Sequence, residues 1–156
     1  MAPLSFGLTS FRKLAYVHSD LVRVSCRAIS ISEIDFGVRQ GMRTREEQDK
    51  LNKTHPERSR TRNSKHLIGM AIDIAPYLDG TYRFDRVDLF YGIADIMATA
   101  SNDLDVTIRW GGCWDLALNK APSSGGSQSL HEAYRKRREA AGLDTFVDLP
   151  HYELVL

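Results

Sequence analysis

Two segments of the chain share one alternation, and that alternation restricts the fold more than any other feature. In 70–78, MAIDIAPYL, Ile72 and Ile74 flank Asp73, and in 151–156, HYELVL, Tyr152, Leu154 and Leu156 alternate with His151 and Glu153. Side chains leave a strand on alternate faces. Each segment therefore reads as a strand with an apolar face turned to a core and a polar face turned away from it. Pro76 is expected to end the first of them.

The remaining elements mix helices and strands without a regular βαβ repeat. Leu14, Val17, Leu21, Val24 and Ala28 recur at helical spacing and predict one helix over 11–30, with Thr9 or Ser10 as its cap. Residues 34–38 read as a strand closed by Gly41, and Thr44 with Glu47 forms a capping box for a helix over 45–53. A helix over 86–100 is capped by Asp85, a strand over 106–110 leads into the Gly111-Gly112 turn, and a charged helix over 129–141 stops at Gly142. The predicted class is α+β: a single domain over 1–156 with a small antiparallel sheet packed against helices.

At 156 residues the chain buries roughly 68–70% of its unfolded surface, so it needs no disulfide or metal to fold. Its 21 basic and 20 acidic residues nearly cancel, which argues against a nucleic-acid binder. No apolar run reaches the length of a membrane span. The N-terminus lacks the pattern of a secretory signal, and two cysteines, Cys26 and Cys113, are too few for a disulfide framework. The expectation is a cytoplasmic product, and nothing in the sequence points beyond a monomer.

Candidate chemistry centres on the histidines. His18 and His55 read as surface residues. His131 opens HEAYR, but Arg135 stands where the helical H-E-x-x-H motif needs its second histidine. His66 differs because Asp73 follows it on the polar face of a strand, either in solvent or lining a cleft with His66. His151 and Glu153 occupy the matching face of the last strand. Two histidines and one carboxylate make a three-ligand set for catalytic zinc, placed at the sheet. Asp148 stands three residues before His151, where a base for a metal-activated water is needed.

Ser64-Lys-His66-x-x-Gly69-x-Ala71-x-Asp73 resembles the S-x-H-x-x-G-x-A-x-D motif of the zinc D-alanyl-D-alanine carboxypeptidase and phage endolysin superfamily. Asp148-x-x-His151-Tyr-Glu-Leu resembles its second motif, and Gly41-Met-Arg43-Thr44 with Gln48 a third, G-x-R-T-x-x-x-Q. Asp35-Phe36 and Trp110-Gly111-Gly112-x-Trp114 are also similar to family sequence, so the likeness spans nearly the whole chain in order. Within the superfamily it is strongest to the L-alanyl-D-glutamate endopeptidases that phages use as endolysins. Aspartate rather than glutamate at position 148 points the same way, away from the D-alanyl-D-alanine carboxypeptidases on this fold.

The resemblance implies that His66, Asp73 and His151 bind zinc. It implies that Asp148 is the general base that takes a proton from the attacking water and returns one to the leaving amine. Arg43 would hold substrate or the oxyanion, a role suited to a fixed guanidinium, against the plainer reading of an ion pair with Glu46 or Glu47. Ser64 either binds substrate or shapes the turn before His66. Glu153 either contacts His151 from behind or faces water. Cys113 takes a position that is often acidic in relatives, and a cysteine-peptidase reading would need a histidine beside it. The region 115–147 reads as an insertion, whose Gly/Ser run and basic helix form either a lid or a solvated helix on a tether.

The implied substrate is the peptidoglycan stem peptide, whose carboxylates the basic stretch 53–65 would attract. The nearest alternative is a D-alanyl-D-alanine carboxypeptidase on the same fold, and a non-catalytic zinc-containing wall-binding module is the competing class, though such a module needs neither Asp148 nor Arg43. The implied setting is synthesis in the host bacterial cytoplasm and action at the periplasmic cell wall. Access to the wall would come through a pore made by another protein.

Overall fold

The two alternating segments lie side by side at the centre of the molecule. The computed structural model describes residues 2–57, 61, 63–121 and 125–156. Strand β2 (Ala71–Leu78) pairs antiparallel with β1 (Phe36–Gln40) on one side and with β6 (His151–Leu154) on the other. Beyond β6 come β4 (Ile108–Trp110) and β5 (Cys113–Ala117), giving the order β1-β2-β6-β4-β5, while β3 (Thr81–Tyr82) adds to β2. Every pairing in this sheet is antiparallel. Among the described residues five helices accompany it, so the α+β expectation is met.

Register sorts the side chains as the alternation requires. Ile72 lies opposite Tyr152, Trp110 opposite Tyr152, and Ile108 opposite Leu154. These five side chains, with Ile74, are all buried on the face against which α4 (Val87–Asp103) packs. Helix α2 (Ser19–Ile31) packs on α4 through Leu21, Val24 and Ala28, and α1 (Leu8–Leu14) covers β1. The opposite face of the sheet carries Asp73, His151, Glu153 and Arg109.

Several boundaries differ from the pattern read in the sequence, each for a local reason. The helix over 11–30 is two helices, because His18 leaves the helical conformation, caps α2 through Asp20 N, and donates its own N–H to Gly69 O. Strand β2 runs past Pro76 to Leu78. The proline nitrogen faces the side where β6 has already turned away, so no ladder bond is lost, and Pro76 O still accepts from Arg83 N. Asp85 does not cap α4; it pairs with Arg83 instead. Leu156 lies beyond β6 and is 87% exposed, so the apolar alternation ends at Leu154. Strands β3 and β5 were not expected from the sequence. The Thr44–Glu47 capping box of α3 (Arg45–Thr54) is present.

Helix α5 (Gly126–Ala140) begins three residues before the predicted start, where Asp95 accepts from both the N–H and the hydroxyl of Ser127. It packs on α4 and β5 through buried Leu130, His131 and Tyr134. Of the Gly/Ser run, Pro122, Ser123 and Ser124 lie outside the described residues, as do Arg58, Arg60 and Arg62 of the basic stretch. No helix among the described residues is long and apolar enough to cross a membrane.

Leu21 sits wholly buried where α2 meets α4. Leu21→Ala is expected to cost about 2–5 kcal/mol of stability, as a large-to-small change does in a packed core. A urea midpoint unchanged from the wild type would show that this stripe does not carry the core.

Candidate metal centre

The site grows directly from the β2–β6 register. Asp73 and His151 are directly opposite one another, on the face that the core does not use. His66 enters from a 3-10 turn, Lys65–Ile68, just before β2. Ser64 caps that turn, its hydroxyl accepting the N–H of His66 at 3.3 Å.

Two carbonyl-level contacts tie this turn to the Gly41-Met-Arg43-Thr44 segment. His66 Nδ1 lies 2.7 Å from Gly41 O, and Arg43 N donates to His66 O at 2.9 Å. The same segment lies against α1, and Gly41 must be glycine there, since a Cβ would lie 1.9 Å from Lys13 O.

These contacts fix the protons. Gly41 O can only accept, so Nδ1 of His66 carries the hydrogen and Nε2 presents its lone pair. His151 is oriented the opposite way round: its Nε2 lies 3.1 Å from the Glu153 carboxylate, leaving Nδ1 free to present a lone pair. The two free nitrogens and Asp73 Oδ1 converge, with His66 Nε2 to Asp73 at 3.2 Å, His151 Nδ1 to Asp73 at 3.3 Å, and nitrogen to nitrogen at 3.3 Å. Three electron-rich atoms at such spacing, two of them on histidines that are almost fully buried, need either a proton or a metal cation between them. Tetrahedral zinc with ligands at about 2.0–2.1 Å would separate its ligand atoms by about 3.3–3.4 Å, so the donor set fits a metal ion of that kind.

The surrounding charges support this. In the metal-free protein, protons on the two converging nitrogens take the place of an ion: burial works against ionised Asp73, yet the charge of His66 and the hydrogen bonds from both histidines hold its carboxyl far below the usual range. Burial likewise opposes a charge on His151, but its bonds to Asp73 and Glu153, with the nearby charge of Asp148, push it up to about 9. Glu153 is buried too, and its bond to His151, together with the charges of His151, Lys65 and Arg109, keeps it ionised. Arg109 Nη1 and Lys65 Nζ stand 3.2 and 3.4 Å from its other oxygen. Of the two readings for Glu153, the structure therefore gives the contact behind His151.

All six residues singled out in the sequence, Arg43, Ser64, His66, Asp73, Asp148 and His151, line one cleft of about 540 Å³. Arg43 makes no ion pair with Glu46 or Glu47 among the described residues. Its guanidinium donates to Gln48 Oε1 at 2.6 Å and approaches the outer oxygen of Asp73 at 3.8 Å. Asp148 is placed by the Trp110-Gly111-Gly112 turn: Asp148 N donates to Gly111 O, Gly111 N to His151 O, and Trp110 Nε1 to Leu149 O at 2.8 Å. A Cβ on Gly111 would lie 2.1 Å from Asp148 O, so this close crossing also needs glycine.

Trp114 was noted only as part of a motif, yet its ring lies 5.1 Å from that of His151 and stacks on Phe146, walling one side of the cleft. Arg39 and Phe84 also line the cleft and escaped the sequence reading. The signal for Arg39 was its outward place in the alternation Phe36, Val38.

The other candidates fall elsewhere. Burial and the carboxylate of Asp115 push the Cys113 thiol up to about 11, and Cys113 is not among the residues lining the cleft. His131 is buried, with Nδ1 2.7 Å from Gly112 O, so it braces the glycine turn. His55 is exposed beside Glu57.

Comparison with known proteins agrees with this geometry. The model of the phage L-alanyl-D-glutamate peptidase family matches residues 2–126. The L-alanyl-D-glutamate peptidase of Escherichia phage T5 is 33% identical over 112 residues, covering 70% of this chain and 81% of that protein. The crystal structure of the Serratia marcescens L-Ala D-Glu endopeptidase ChiX superposes with a TM-score of 0.71 at 25% identity, over 98% of this chain and 91% of that one. The chain belongs to the phage L-alanyl-D-glutamate peptidase family.

A proton held on His151 up to pH of about 9, against an ordinary value of 6.5, gives a stability contribution with a definite sign. It is complete below pH 6.5 and lost as pH rises towards 9. In the presence of a chelator the melting temperature is therefore expected to fall across that window. A level profile in chelator would contradict the charge assignment at His151.

Proposed function

We propose that this protein is a zinc-dependent endopeptidase that hydrolyses the L-alanyl-D-glutamate bond of the peptidoglycan stem peptide, and that it serves a phage as its endolysin. The observation that carries this reading is the convergence of His66 Nε2, His151 Nδ1 and Asp73 Oδ1 in a cleft that also holds Arg43 and Asp148, in a chain of this family.

His66, Asp73 and His151 are the metal ligands in this proposal. Bound there, zinc would lower the pKa of a water to about 7 and polarise the scissile carbonyl. Asp148, held against the Gly111 turn, takes the proton of the attacking water and delivers one to the departing amine. Arg43, fixed by Gln48, faces the developing negative charge on the carbonyl oxygen. Ser64 keeps the turn that aims His66, and Glu153 keeps the tautomer of His151 that leaves Nδ1 free. Trp114 and Phe146 shield one wall of the cleft from water.

The whole of 1–156 acts as one catalytic domain in this proposal, with α5 of the 115–147 region bearing on β5 at the edge of the sheet. The protein works as a monomer at the periplasmic cell wall, which it reaches through a membrane pore formed by another protein.

Incubation with purified stem-peptide muropeptides, followed by mass spectrometry, tests the reading. The expected product has a new D-glutamate amino terminus and disappears in chelator. Release of terminal D-alanine alone would place the protein among the carboxypeptidases, and no cleavage by folded, zinc-loaded protein would favour a binding module. Asp148→Ala is expected to retain zinc while losing on the order of 100-fold or more in kcat, and His66→Ala to lose both. An unchanged rate in Asp148→Ala would assign the base to another residue.

A further inference from the structure

Arg39 lies in the cleft, and no carboxylate among the described residues takes up its charge. It sits at a bulge in β1: Val38 is opposite Ile74 and Gln40 opposite Asp73, so Arg39 is the extra residue, one position from the partner of a proposed metal ligand. Bulges redirect side chains beside functional sites. The redirected guanidinium lies 4.5 Å from the ring centre of Tyr82 and 5.9 Å from that of Phe84.

Tyr82 is itself braced for this role. Its ring meets Tyr77 edge-on at 5.0 Å, and it rests on Gly37, where a Cβ would lie 2.6 Å from the tyrosine oxygen. Stacking occupies the face of a guanidinium and leaves its N–H edge free for a planar acceptor. Among the described residues no carboxylate pairs with Arg39, whereas the other arginine of the cleft, Arg43, is engaged with Gln48 and Asp73. An arginine held on an aromatic shelf with its edge free is a ready receptor for a carboxylate.

We propose that Arg39 binds the carboxylate of the D-glutamyl residue that does not continue the peptide, and so makes the enzyme select free-acid stem peptides over amidated ones. This rests on the endopeptidase reading above. Glutamate has two carboxyl groups, of which chain continuation uses one. The other is either an anion, which completes Arg39, or a carboxamide, which cannot offer it a charge.

The test compares matched L-alanyl-D-glutamyl peptides, one with the free carboxylate and one with the carboxamide, using the full-length zinc-loaded protein. The wild type is expected to favour the free acid by about fivefold in kcat/KM, chiefly through KM, as befits a charge-assisted pair at an exposed site. Arg39→Gln should bring that ratio close to one, and Arg39→Lys, which keeps the charge without the planar fork, should retain part of it.

A wild-type ratio already near one, or Arg39→Gln keeping the wild-type preference, would overturn the proposal. Failure of the wild type to cleave either peptide would count against the endopeptidase reading instead. Calorimetric titration of the same proteins with each peptide then still decides the role of Arg39, because equal affinity for acid and amide would overturn it.

Discussion

The pairing of β2 with β6 is the constraint on which the rest depends. It sets Asp73 opposite His151 on one face and Ile72 opposite Tyr152 on the other. A slip of one residue would exchange the faces, sending Tyr152 to the cleft and His151 into the apolar layer against α4. The register is therefore enforced by the core, through Ile72, Tyr152, Ile108 and Trp110, all fully buried. The site inherits its precision from hydrophobic packing on the reverse side of the same strands.

Register alone would not make a metal site, because an imidazole can present either nitrogen. The choice is made from behind. A backbone carbonyl acts on His66 and a carboxylate on His151, each accepting from the nitrogen that must not face the ion. The carboxylate solution is the costlier, since Glu153 is itself buried. Lys65 and Arg109 offset that cost from the neighbouring turn and strand. A chain of alternating charges thus runs along the polar face, ending where His66, Asp73 and His151 converge.

Much of this was legible in the sequence, and the parts that were not share a physical character. The strands 71–78 and 151–154, the capping box at Thr44 and the stripe of α2 are local patterns, written within a few residues of one another. The break at His18 was hidden because its cause is long-range: its N–H goes to Gly69 O. Strand β5 was hidden because a strand next to a glycine turn at the sheet edge needs only its partner, β4, to form. Asp73, His66 and His151 could be singled out from spacing and alternation. That Glu153 faces His151 rather than water could not, because the deciding contacts from Lys65 and Arg109 come from distant segments. Arg39 was passed over for a related reason: the alternation of Phe36 and Val38 turns it outward, but the aromatic rings of Tyr82 and Phe84 that hold it come from another segment.

Four segments far apart in sequence meet at the cleft, and backbone hydrogen bonds tie them in pairs. Arg43 N reaches His66 O; Asp148 N reaches Gly111 O, whose own residue reaches His151 O. Main-chain links lack the rotamer freedom of long side chains, so they suit a site whose groups must be held within about half an ångström. This accounts for glycine at 111, where a Cβ would collide with Asp148 O, while glycine at 41 lets its segment lie against Lys13 O of α1. Glycine at those two points thus serves the candidate site without lying in it: one lets the backbone of Asp148 lie against the Gly111 turn, the other seats the segment of Gly41 and Arg43 on α1, and the proposed ligands and base are carried into place on the segments so held.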